Sequence, residues 1–206
     1  MVQSPSPVVK LGAWGNDAGA AHDIDAAPHR LESIAIRWGK VIDSVAFTYT
    51  DKGGQLHTAG PWGGTGGEKE DTVSSFLSNS NSNSNPIVYL SIYLLFQNSQ
   101  ITLGPTEYVT QVAWSVGPFQ LKEIEDCVTS LKFVTNRGAT YGPFGRGDGV
   151  HHSLPVLDGG SLVGMFCRAG DYLHAISFYV RPLAVVKPAS PAKPEGESLP
   201  TVATKG

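Results

Sequence analysis

Disulfide bonding, N-glycosylation and membrane insertion all find little to work with in this sequence. Only two cysteines occur, Cys127 and Cys167. Two are too few for a disulfide framework, so both are expected as buried thiols. No Asn-x-Ser/Thr sequon is present, even in the asparagine-rich tract, so nothing requires a secretory route. No apolar run reaches the roughly 18 residues that a membrane-spanning helix needs. Charge is scarce as well, at 16% of residues with a net of −3. A clustered basic surface is missing, which argues against nucleic acid as a partner. Residues Met1 to Pro7 show neither a basic n-region nor an apolar h-region. No secretory signal is therefore legible, and a cytoplasmic or nucleocytoplasmic location is expected.

Glycine is what the chain has in plenty, with 24 residues. Between the glycine turns lie short alternating segments, among them Ile34 to Trp38, Val45 to Thr50 and Leu131 to Thr135. Such alternation marks half-buried strands, and no segment carries a helical apolar period. Asp51-Lys52-Gly53-Gly54 and Asn136-Arg137-Gly138 read as hairpin turns. The fold is expected to be all-β. A glycine turn with a central aromatic recurs at Trp14, Trp62 and Phe144, and Gly39 and Gly170 open a second recurring turn. Three units sharing a pattern imply a three-fold pseudo-symmetric assembly of sheets.

The second gap between aromatic marks is longer than the first, and residues 73–100 account for the excess. They hold an Asn/Ser alternation followed by the apolar run Ile87 to Phe96. This segment reads as an insertion within a strand, disordered or derived from a retained intron. Residues 1–8 read as a flexible leader, 9–182 as one domain, and 183–206 as a disordered Pro/Ala/Lys-rich tail.

The stretch Gly170-Asp171-Tyr172-Leu173-His174-Ala175-Ile176 resembles the sugar-binding turn of the jacalin-related lectins of plants. Gly12-Ala13-Trp14-Gly15 with Gly19, the loop Gly60 to Gly67, and Thr129 to Asn136 resemble further marks of that family. The resemblance implies a β-prism of three four-stranded Greek-key sheets and a non-catalytic lectin of the mannose/glucose-binding kind, with a role in plant stress or defence. Its partners would be mannose- or glucose-containing glycans and glycoproteins, with room for a homo-oligomer and no membrane insertion. Each site would pair a Gly-x-x-x-Asp turn with a glycine loop from another repeat. The first would join Gly19 to Gly170, Asp171, Tyr172, Leu173 and His174. Here an imidazole replaces the family's carboxylate, which weakens this site, because neutral imidazole has a single acceptor. The second would join Gly39, Lys40, Val41 and Asp43 to Gly66 and Gly67, and it keeps its carboxylate. In the middle repeat a third turn would fall at Ala113 to Gly117, which lacks a carboxylate and is assigned no site.

Two rival readings remain. One is a β-prism that has lost sugar binding and serves as a protein-interaction module. The other is a hydrolase built on Asp148, His151 or His152, and Ser153. Adjacent histidines on a strand face opposite ways, so a shared metal or catalytic role is not expected of them. No cofactor, metal or catalytic residue is expected.

Overall fold

A computed structural model describes residues 7–66, 99–156 and 160–182. The leader to residue 6, the tail from 183, Gly67 and most of the expected insertion lie outside the described residues. Twelve strands appear among them: β1 (Val9–Gly15), β2 (Ala20–His22), β3 (Pro28–Trp38), β4 (Ile42–Asp51), β5 (Leu56–Gly63), β6 (Ser99–Thr102), β7 (Val109–Phe119), β8 (Ile124–Thr135), β9 (Thr140–Gly145), β10 (Val150–Pro155), β11 (Ser161–Ala169) and β12 (Leu173–Arg181). Ser99 and Gln100, the last residues of the expected insertion, pair with Ile36 and Ala35 as the start of β6.

All pairings are antiparallel, and they resolve into three four-stranded units. One has the order β5-β4-β3-β6. The second runs β10-β7-β8-β9, and the third β2-β11-β12-β1. The last two are joined through a single pair, Leu162 with Val109. Each of the first two units has three successive strands and a fourth lying beside the first, which is the Greek-key arrangement, and the third matches it when β1 and β2 are counted after β12. In the third unit the chain supplies β11 and β12 late and β1 and β2 early. That sheet is therefore completed from both directions, with Val9 opposite Val180.

The β-prism and the all-β class are thus as expected. The aromatic marks have a structural meaning: Trp14, Trp62 and Phe144 each sit on the third strand of a unit. Gly12, Gly60 and Gly142 precede them at φ 101°, 88° and 91°. Residues with Cβ are strained there, which is why glycine recurs. Inward faces of the three sheets meet in one core built on Ile34, Phe47, Leu131, Phe133, Met165 and Phe178, all nearly inaccessible. Cys127 and Cys167 are free and buried, and burial pushes both thiols up to about 12. Trp114 stacks on His152 at 5.3 Å and Trp62 meets Phe47 edge-on at 5.5 Å, so these tryptophans pack rather than display.

Candidate functional site

One end of the prism carries three hairpin turns and three glycine-bearing loops. The turns are Gly39–Val41 between β3 and β4, Gly170–Tyr172 between β11 and β12, and Gln120–Glu123 between β7 and β8. The third differs from expectation. Ala113 to Gly117 lie inside β7, with Ala113 opposite Lys132 and Gly117 opposite Cys127. The hairpin comes later because a 3-10 turn at Gln120–Lys122, closed by left-handed Glu123, lengthens it.

Each loop follows the third strand of a sheet and folds onto the turn of that same sheet. Gly64 N–H donates to the Asp43 carbonyl at 3.0 Å, Asn16 N–H to His174 at 3.1 Å, and Gly147 N–H to Thr129 at 3.1 Å. Asp43, His174 and Thr129 are therefore equivalent positions in the three sheets. The expected pairing of a turn with another repeat's loop is corrected by this register. Trp14 and Gly39 belong to different sheets, while Trp14 and Gly170 share one. Neighbouring sheets are instead tied where a loop touches the next turn: Gly64 against the Asp171 backbone, Arg146 N–H to the Lys40 carbonyl at 3.1 Å, and the Asn16 amide to the Asp126 carbonyl.

At the Asp43 position a carboxylate lies 8% exposed beneath the loop of Gly64 to Gly66. A methyl group on Gly66 would overlap Asp43 Oδ1, so the carboxylate would have to move to admit one. Asp43 Oδ2 has no hydrogen-bond partner among the described residues. Burial raises the carboxyl pKa to about 6, opposed by the nearby Arg37 guanidinium and by backbone N–H groups of Asp43 and Gly39. Val41 is buried, so its contribution to a ligand is backbone, as is that of Leu173 in the other turn.

At the His174 position an imidazole, 9% exposed, takes the carboxylate's place. A Cβ on Gly19 would sit 2.9 Å from His174 Cδ2 and 2.6 Å from the Ala169 carbonyl oxygen. Nδ1 is buried without a partner among the described residues. Burial, then the Arg168 charge, lower the imidazole pKa, with Asp171 acting weakly the other way. Tyr172 lies 4.7 Å from the His174 ring and meets Phe119 edge-on at 5.7 Å. The structure thus brings together Gly19 with Gly170 to His174, and Gly39 to Asp43 with Gly66. At the third position Thr129 stands where the other two turns carry Asp43 and His174, and its hydroxyl donates to the Asp148 carbonyl.

Two residues escaped the sequence reading. Arg37 Nη1 donates to the Thr65 carbonyl at 3.0 Å, and Arg168 Nη2 to Gly19 at 2.9 Å, with Nε reaching Ala18 at 3.3 Å. Each arginine stands two residues before the glycine of its turn, and that shared spacing was the available signal. The hydrolase rival loses its geometry: His151 Nδ1 meets Ser115 Oγ at 2.7 Å, while His152 stacks on Trp114.

Residues 11–179 match the family described as "Jacalin-like lectin domain". The chain is 36% identical over 178 residues to "Horcolin" of Hordeum vulgare subsp. vulgare, covering 86% of this chain and 99% of that one. It is 30% identical to the "Mannose/glucose-specific lectin" of Parkia pendula, over 85% of this chain and 43% of that protein. Among solved structures, a jacalin-related lectin from Ananas comosus, titled mannose binding, superposes with a TM-score of 0.67 at 31% identity, over 85% of this chain and 98% of that one.

Proposed function

The chain belongs to the jacalin-like lectin family, a non-catalytic carbohydrate-binding family, and from that premise we propose that it binds mannose principally at the turn Gly39 to Asp43. The carrying observation is the buried Asp43 carboxylate facing a glycine loop. A hexose presents several hydroxyls and no charge. A carboxylate accepts from two hydroxyls at once, and each charge-assisted bond contributes roughly 1.5–3 kcal/mol. In this reading Gly39, Lys40 and Val41 offer backbone groups, Asp43 accepts, and Gly66 lets the ring approach. Arg37 keeps the loop in place through Thr65. The names of the Parkia pendula and Ananas comosus proteins support mannose as the sugar. The Gly19, Gly170 to His174 site is a weaker second one, since its imidazole has a single acceptor.

Calorimetry with methyl α-mannoside tests the ranking. Asp43→Ala removes most of the binding, His174→Ala changes it little, and His174→Asp strengthens the second site. Full binding by Asp43→Ala together with its loss in His174→Ala would reverse the assignment. The protein-interaction alternative has no comparable observation behind it.

A further inference from the structure

At the end of the prism away from the sugar turns, cationic side chains from three elements converge. Strand β3 begins there with Pro28 and His29, β12 finishes there with Arg181, and Lys52 stands in the turn that joins β4 to β5. Arg181 Nη1 lies 2.7 Å from His29 Nδ1 and 3.0 Å from Nε2. A point almost equally far from both ring nitrogens is off the in-plane lone pair of each, so the guanidinium rests against the ring without being well paired by it. Lys10, Arg30 and Arg146 are ion-paired with Asp23, Glu32 and Asp148, but no carboxylate pairs with Arg181, His29 or Lys52 among the described residues. Asp51, set opposite Pro28 by the register, is already engaged. Its Oδ2 meets His57 Nε2 at 3.0 Å, and its Oδ1 accepts from the N–H groups of Gly53 and Gln55. Burial, then the charges of Arg181 and Lys52, lower the His29 pKa, and burial lowers that of Arg181 with no neighbouring charge to oppose it. Positive potential therefore collects at this seam between the first and third sheets.

We propose that Arg181, His29 and Lys52 form a site for a tetrahedral oxyanion, either free phosphate or a phosphate monoester. Such a group carries between one and two negative charges near neutral pH and several strong acceptor oxygens. Arg181 offers a planar fork of donors that can bond two of those oxygens at once. Lys52, exposed at the tip of its turn, adds a mobile point charge, and His29 donates through a ring N–H. His29 and Arg181 are half-buried, so their field is screened less than that of a cation in open water. The site stands at the far ends of β3 and β12 from Gly39 and Gly170, and it does not depend on what the sugar turns bind.

The test follows the histidine ring signals of the full chain by proton NMR during titration with sodium phosphate, against sodium chloride at matched ionic strength. The His29 signal is identified by its loss in His29→Gln. Phosphate should shift that signal saturably and raise the His29 pKa toward or past its ordinary ~6.5, because a bound anion favours the imidazolium. The signals of His22, His151 and His152 should stay in place. Arg181→Gln should weaken the apparent phosphate affinity about tenfold or more, the effect of losing charge-assisted bonds, and Lys52→Gln by a smaller factor. Lys52 is exposed, so its substitution leaves the packing intact. Lys122→Gln removes the same charge from the sugar end and should change nothing. Methyl phosphate, titrated in parallel, separates the two sources: equal affinity assigns the site to monoesters as well, and failure to bind assigns it to the free ion. The site is overturned if chloride reproduces the shift, if the response to phosphate does not saturate, or if Arg181→Gln and Lys52→Gln both respond as the parent does.

Discussion

At the scale of single residues, Asp43 sets function against stability. Its carboxyl has an ordinary pKa of 3.8 and about 6 in the fold, because burial penalises the charge more than Arg37 and the backbone N–H groups favour it. The folded state therefore holds the proton more tightly than the unfolded chain does. The contribution to stability is present below the ordinary pKa and is lost as pH rises through about 6. Asp43→Asn should consequently raise the unfolding free energy at pH 7.5 by on the order of 1–3 kcal/mol, while eliminating sugar binding. Denaturant titration beside calorimetry reads both, and a variant that is no more stable contradicts the cost assigned to the carboxylate. Binding has the opposite pH dependence. Protonation takes away the charge and turns one of the two acceptor oxygens into a donor, so affinity for methyl α-mannoside should fall as pH drops through about 6. His174 is lowered from its ordinary value, so any response of its own site lies on the acid side of ~6.5. A flat affinity profile from pH 7.5 to 4.5 would show that neither group contacts sugar.

At the scale of elements, the loops depend on glycines that cannot be exchanged. Gly15 and Gly63 stand at φ 125° and 119°, and a methyl group on either overlaps the carbonyl of His174 or Asp43. Gly54 and Gly138 share a positive φ, at 82° and 78°, but have open space around the same position. Alanine should therefore cost about 1–2 kcal/mol at Gly54 or Gly138, the backbone strain alone, and clearly more at Gly15 or Gly63. Equal losses at all four in a denaturation series would mean that the loops give way freely. Arg168→Gln should release the carbonyls of Ala18 and Gly19, weakening binding at the His174 site of a His174→Asp background and leaving the Asp43 site untouched. The strands themselves were legible because Ile34, Ile36, Phe47 and Leu131 alternate with polar neighbours. The turn of the middle unit was not, because Ala113 to Gly117 resembles a glycine turn while Trp114 and Val116 within it are held in β7 by pairing from both sides. Pairing partners distant in sequence decide such a case. The two turns stood out through their shared spacing and took their sugar-binding role from the family resemblance, but Arg37 and Arg168 look like ordinary surface arginines until the loops they hold are in view.

At the scale of the whole molecule, the third sheet shapes behaviour most. β1 and β12 are antiparallel neighbours, with Val9 opposite Val180 and Gly15 opposite Ala175. A hairpin loop of about 2–5 residues would therefore join residue 182 to residue 7 without disturbing the register. A permutant so joined and opened between Gly53 and Gly54 should keep its far-ultraviolet spectrum and its methyl α-mannoside affinity, whereas opening between Gly64 and Thr65 should abolish binding. Loss of folding in the first permutant would contradict the pairing. The same feature has a consequence during synthesis. The Asp43 turn, its loop and Arg37 fall within residues 37–66, so they leave the ribosome together. Among the described strands β1 emerges first, and its pairing partner β12 is made last. Until then Leu11 and Trp14, which pack against the finished core, lack the strand they pair with. The window in which this lectin is open to aggregation is thus set by the time between translating its first strand and its last.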